Sequence, residues 1–131
     1  MTHDRTPARR FVLLEHRWNG VHWDFMLEAE AGLRTWAIDE PIVPGKVLPA
    51  RALDDHRAIY LDYEGPVSGG RGTVRRIDQG TYVVGEWTED RVRARIAGSQ
   101  LVGEVLLWSM LLDSSGTGRT NWKFRLVGNV D

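Results

Sequence analysis

The sequence predicts a mainly β protein, a single antiparallel β-barrel with an open metal site on one rim. Three observations predict it. Apolar and β-branched residues recur at period two, short glycine-bearing turns separate the segments, and no long 3.6-residue apolar stripe is present. Eight or nine short strands at this spacing fit a closed or sandwiched antiparallel sheet.

The elements follow in order. Residues 1–10 are polar and read as a flexible N-terminal segment, with the barrel domain spanning 11–131. Residues 11–16 form a strand, and Trp18-Asn19-Gly20 turns it back into a partner at 21–28, Asn-Gly being a strong hairpin signal. Residues 33–38 form the next strand, and 39–49 read as a loop because they hold three prolines and a glycine. Further strands are expected at 58–62, 73–77, 81–86, 91–96, 105–112 and 121–127. Asp78-Gln79-Gly80, Thr88-Glu89-Asp90 and Ala97-Gly98 are read as punctuation, and 114–120 as an exposed loop. A helix over 100–107 is the weaker reading of that stretch.

The 131 residues suffice for one domain with its own core. The absence of cysteine excludes disulfides and thiolate zinc sites, so any metal must be held by His, Asp or Glu. The first ten residues lack an apolar segment and no apolar run reaches membrane length, which points to a cytoplasmic protein without membrane contact. The net charge of −1 does not announce nucleic-acid binding, so cations must segregate in space if they are to serve it. Arg91, Arg93 and Arg95 alternate on one strand face and offer either a phosphate-tracking surface or an ordinary solvated one.

Residues 15–28 carry the most chemical information. His22 and Asp24 leave the same strand face, and the Asn-Gly turn brings His16 back beside them. Two imidazoles and a carboxylate are the donor set of an open catalytic site for manganese or zinc. On spacing alone, two exposed hairpin histidines are the more ordinary outcome. Trp23 and Phe25 belong to the opposite, core face, with Trp36, Trp108 and Trp122 also read as core. Trp18, at the turn, is the tryptophan placed to stack on an unpaired base.

The series His-x5-His-x-Asp-Phe-x-Leu-Glu, with Leu33-Arg34-Thr35-Trp36-Ala37, Asp54-Asp55-His56, Tyr60 and Tyr63-Glu64-Gly65 after it, resembles the 3′-phosphoesterase module of bacterial ligase D. The likeness runs over about residues 11–127. It implies that His16, His22 and Asp24 bind a manganese-like ion and that His56 and Tyr60 contact the scissile phosphate. The implied activity is removal of a 3′-terminal ribonucleotide or 3′-phosphate from DNA ends or a primer–template, with a DNA ligase or polymerase as partner in trans.

The chain departs from that pattern at Met26, where the family usually places a phosphate-binding arginine. A thioether cannot replace a bidentate cationic clamp. Arg71 and Lys46 are the foremost candidates for a displaced phosphate-binding cation, ahead of Arg17, Arg51 and Arg57. The other class of reading is a catalytically weakened, metal-bearing nucleic-acid-binding module; a cupin-like small-molecule enzyme is disfavoured, since its motif wants His-x-His.

Overall fold

The computed structural model describes residues 9–109 and 121–128. Their strands are β1 (Arg9–Arg17), β2 (Val21–Ala29), β3 (Gly32–Ile38), β4 (Leu48–His56), β5 (Gly65–Pro66), β6 (Thr73–Trp87), β7 (Arg91–Gly98), β8 (Val102–Ser109) and β9 (Trp122–Gly128). The order around the sheet is β1-β2-β3-β4-β9-β8-β7-β6, and pairing of β1 with β6 closes an eight-stranded antiparallel barrel. The expected antiparallel β-barrel is therefore the observed one. Among the described residues there is no α-helix, and no helix is long and apolar enough to cross a membrane.

Alternation sorts the side chains. Phe11, Leu13, Phe25, Leu27, Trp36 and Ile38 point inward with Tyr82, Ile96, Val105, Leu107, Trp122 and Phe124 to fill the barrel. Phe25 packs between Phe11, tilted at 5.9 Å, and Phe124, edge-on at 5.4 Å, both within the favourable range for aromatic pairs. The opposite faces carry a second apolar cluster of Val12, Leu14, Met26, Leu33 and Val74, roofed by Leu61 and Val67. A segment running from the end of β4 to the start of β6 thus covers the outside of the barrel over β1 and β2.

Three elements differ from the sequence reading. β4 occupies Leu48–His56, starting within the expected loop. Its inward residues are Leu48, Ala50 and Ala52, and the alanines are small because the indoles of Trp36 and Trp122 take the space, meeting edge-on at 5.7 Å. The expected strand at 58–62 is instead a 3₁₀ turn, Ala58–Leu61, with Leu61 buried in the outer cluster. The expected strands at 73–77 and 81–86 are one continuous β6 of 15 residues. Its first part pairs with β1 and its last part with β7, so Asp78-Gln79-Gly80 lies where one strand passes between two neighbours. The weaker helical reading of 100–107 does not hold either, since β8 covers most of it. Trp108 faces outward, next to inward Leu107. The expected loop at 114–120 lies outside the described residues.

Asp78 explains why that passage is firm. Its buried carboxylate accepts backbone N–H bonds from Gln79 and Ser99 on Oδ1 (both 2.9 Å) and from Gln100 and Leu101 on Oδ2 (3.1 and 2.8 Å). It therefore holds the β7–β8 turn against the barrel wall. Gly98 must lack a Cβ there, because one would meet Asp78 Oδ2 at 2.3 Å. Asp78→Ala strands these donors and is expected to lower the unfolding free energy by about 2–4 kcal/mol. Urea denaturation measures this; a loss below about 1 kcal/mol would mean that water satisfies the turn equally well.

Candidate active site

The first hairpin builds the site. Arg17 pairs with Val21 and His16 with His22, and positive φ at Asn19 (56°) and Gly20 (112°) lets the chain reverse through Trp18-Asn19-Gly20. His16, His22 and Asp24 consequently share the outward face of β1 and β2, near the end where the hairpin turns. His22 Nε2 lies 3.0 Å from Asp24 Oδ1, and His16 Nδ1 lies 3.6 Å from Asp24 Oδ2. One donor atom from each residue falls within 4.8 Å of the others.

Each group is oriented. His16 Nε2–H donates to the carbonyl of Arg71 at 2.8 Å, which turns Nδ1 toward Asp24. Such an outer hydrogen bond is the usual way a ligating imidazole is fixed. Asp24 is 1% exposed. Burial opposes its ionisation, yet the close approach of the His16 and His22 imidazoles, helped by the charge of His22 and of His56, holds its pKa below the ordinary carboxylate range. The neighbouring Asp24 carboxylate raises the pKa of His16 despite partial burial. The 3.0 Å approach of His22 to Asp24 Oδ1 is close but not aligned as a hydrogen bond, leaving that buried oxygen with no well-placed donor among the described residues. A buried anionic oxygen in that state fits a cation held jointly with the two imidazoles.

The three residues open into a cleft of about 700 Å³ over the outer sheet face, with Met26, Leu53 and Val74 among the residues that line it. The register shift between β3 and β4 sets Thr35 against Leu53 and Leu33 against His56, so Asp54 and Asp55 form an extra step. Such bulges re-aim side chains. Here it delivers His56 to the cleft, where its Nδ1–H donates to Asp54 O at 2.9 Å. Neutral His56 thus carries its lone pair on Nε2. Tyr60, from the 3₁₀ turn, stands 5.9 Å from the His56 ring and packs on the outer apolar cluster.

The covering segment is tied down at both flanks. Arg10 pairs with Asp62 at 2.7 Å, and Glu64 accepts the backbone N–H of Arg76 at 2.8 Å. Glu64 is a positioning residue that the sequence marked only as part of a motif. Gly72 passes so close to the hairpin that a Cβ would meet Arg17 O at 1.9 Å, so the glycine loop must seat directly against the turn.

Of the proposed phosphate-binding cations, Arg71 lines the cleft, with Nε donating to Ser68 O at 2.8 Å. Lys46 does not line it; its ammonium pairs with Glu40 at 3.1 Å in the β3–β4 loop. Arg51 and Arg57 do line it, Arg51 because outward positions of β4 alternate with its inward alanines. Arg17 is drawn to Glu15 at 3.0 Å. Met26, 1% exposed, forms part of the cleft floor, and Trp18, 44% exposed, stacks beside His16 at 6.3 Å.

Residues 14–109 match the model of the DNA ligase D 3′-phosphoesterase domain. The chain belongs to this family. Similar proteins include the multifunctional non-homologous end joining DNA repair protein LigD of Mycobacterium tuberculosis, 28% identical over 106 residues. That match covers 74% of this chain and 14% of the relative. The multifunctional non-homologous end joining protein LigD of Pseudomonas aeruginosa is 30% identical over 69 residues, 51% of this chain and 8% of the relative. The chain therefore corresponds to a small part of these larger proteins. As a member of a phosphoesterase domain family it falls among the hydrolases.

If the cleft holds a divalent ion, protons and metal compete for His16 Nδ1. Because the pKa of His16 is raised, manganese affinity should climb with pH and level off only above the ordinary histidine range. The metal-free protein shows the opposite sign: the contribution of protonated His16 is full below the ordinary histidine pKa and is lost as pH rises through the raised value. Titration calorimetry across pH, with His22→Ala as the binding-deficient control, tests the first, and urea denaturation of the metal-free protein across pH tests the second. Wild-type affinity in His22→Ala would remove that residue from the site.

Proposed function

We propose that this chain is a metal-dependent phosphoesterase that trims 3′ ends of DNA, removing a terminal ribonucleotide or a 3′-phosphate during end joining. One observation carries the reading: the His16/His22/Asp24 donor set opens into the same cleft as His56, Tyr60, Arg51, Arg57 and Arg71. Family membership and the end-joining roles printed for its larger relatives support it, and a ligase or polymerase acting in trans is the partner those relatives suggest.

His16, His22 and Asp24 would hold the ion, Mn2+ or another transition metal such as Zn2+, with open positions left for oxygen ligands. When bound, it supplies Lewis acidity to a phosphoryl oxygen and lowers the pKa of water. The remaining work belongs to the protein. Water oxygen attacks phosphorus and gives up a proton to solvent, the bond from phosphorus to the leaving oxygen breaks, and that oxygen must take a proton. Protonated His56 donates it from Nε2, its ring held through Nδ1 by Asp54 O. Tyr60 donates a hydrogen bond to a phosphoryl oxygen, and the arginines offset the charge that develops there. Trp18, beside His16, offers a face on which the terminal base stacks.

The second reading, a metal-bearing nucleic-acid-binding module with weakened catalysis, has one observation in its favour. The floor of the cleft at Met26 is apolar, packed with Val12, Leu14, Leu33, Leu61 and Val67 where the family pattern supplies a guanidinium. A 3′-end-labelled primer–template incubated with manganese, with and without EDTA, separates the two. Metal-dependent shortening or phosphate loss supports the enzyme, and unchanged ends with retained binding support the module.

Met26 also makes a directional prediction. A terminal phosphomonoester carries close to two negative charges and a diester one, so a missing cation weakens monoester cleavage more. Met26→Arg should raise single-turnover 3′-phosphate removal about ten- to a hundredfold, with a smaller effect on ribonucleotide ends. It should also lose some stability, because the side chain enters an apolar cluster. Unchanged rates would mean that Arg51, Arg57 or Arg71 already fills the phosphate position.

A further inference from the structure

The barrel places a second cationic surface far from the cleft. Around the ring β1-β2-β3-β4-β9-β8-β7-β6, β8 is four strands from β2 in either direction, so its outer face looks away from the candidate active site. Inward Val92, Ala94, Ile96, Val105, Leu107, Phe124 and Leu126 force the alternate residues of β7, β8 and β9 outward. The register then lines them up in rows. Arg91, Trp108 and Lys123 form one row, Arg93, Leu106 and Arg125 the next, and Arg95, Glu104 and Val127 the third.

Five cations from two non-neighbouring strands thus share one sheet face with Glu104 and, across β6, Glu86. Glu104 is committed to Arg93 at 3.3 Å. Arg125 donates to the carbonyl of Gly45 at 3.1 Å, which positions the guanidinium without neutralising it. Within the described residues none of Arg91, Arg95, Lys123 or Arg125 pairs with a carboxylate. A chain of net charge −1 has no general excess of cations to scatter, so this concentration is local.

We propose that the outer face of β7, β8 and β9 is a second nucleic-acid surface, which grips the sugar–phosphate backbone independently of the cleft. Alternate arginines on β7 are spaced by about 6.7 Å, close to two 3.4 Å nucleotide steps along one DNA strand. β9 sets a second cation row about 9.6 Å away, two strand spacings across the sheet. A regular ladder of this kind suits a regular polyanion better than an irregular acidic protein patch. Trp108, half-buried between Arg91 and Lys123, adds an aromatic surface where an unpaired base can stack. Because the face points away from the cleft, one chain can hold a nucleic-acid segment there while its cleft engages an end.

The test uses fluorescence anisotropy with a short labelled duplex whose 3′-hydroxyl ends offer nothing to hydrolyse. Wild-type affinity should fall steeply with salt. Arg91→Gln/Arg95→Gln/Lys123→Gln should bind at least about tenfold more weakly, with the log–log salt slope reduced by about 2–3. Hydrolysis of a 3′-phosphate mononucleotide should be unchanged in that variant. If the triple variant folds poorly by circular dichroism, the Arg91→Gln/Arg95→Gln pair replaces it. Wild-type binding and slope in the neutralised protein would overturn the proposal, as would duplex affinity insensitive to salt or tighter binding of polyglutamate than of duplex. Absence of 3′-end hydrolysis would defeat the phosphoesterase reading and leave this result intact.

Discussion

Arg17 faces Val21 across the first hairpin, and that register decides the destination of every side chain in β1 and β2. The odd-numbered residues enter the barrel and the even-numbered ones face out. A slip of one residue would put His22 and Asp24 in the hydrocarbon interior and Phe25 in water. The penalty is large on both counts, since a buried aromatic ring and a buried unpaired charge would both be misplaced. The core and the candidate metal group are therefore held by the same constraint. Closure by β6 on β1 removes the free edge that would otherwise allow slippage.

The cleft depends on a second apolar layer. Most small barrels place their chemistry at a mouth; here Val12, Leu14, Met26 and Leu33 make part of the outer wall apolar enough to need a roof. The segment after β4 supplies it with Leu61 and Val67, and Arg10 and Glu64 pin it to the sheet. That roof brings His56, Tyr60, Arg57 and Arg71 opposite Asp24. The carboxylate stays ionised despite burial because imidazoles surround it, an arrangement that favours a cation at their common focus.

The legible parts of the sequence were those with strong alternation or a turn that only certain residues can make. β1, β2 and β3 have large apolar residues on one face, β7 alternates apolar residues with arginines, and the Asn-Gly turn needs positive φ, so these strands and the shared face of His16, His22 and Asp24 could be read directly. β4 was hidden because its inward residues include alanines, whose size is explained by two tryptophans on other strands. Asp78-Gln79-Gly80 has the composition of a turn, yet Asp78 serves a distant turn and Gly80 allows backbone contact with β7. Lys46 was drawn to the site by charge alone; only the loop path shows that it meets Glu40. Lys123 and Arg125 join the β7 arginines through the registers of the β7–β8 and β8–β9 pairings, which no local pattern encodes.

The central claim is that His16, His22 and Asp24 share one ion. Pulsed electron paramagnetic resonance of the manganese-loaded protein tests it most directly, because nitrogen hyperfine couplings count the imidazoles bound to the metal. Two histidine nitrogens should couple in wild type and one in His16→Ala. A manganese signal without nitrogen coupling, or one unchanged by that substitution, would place the ion elsewhere and contradict the account.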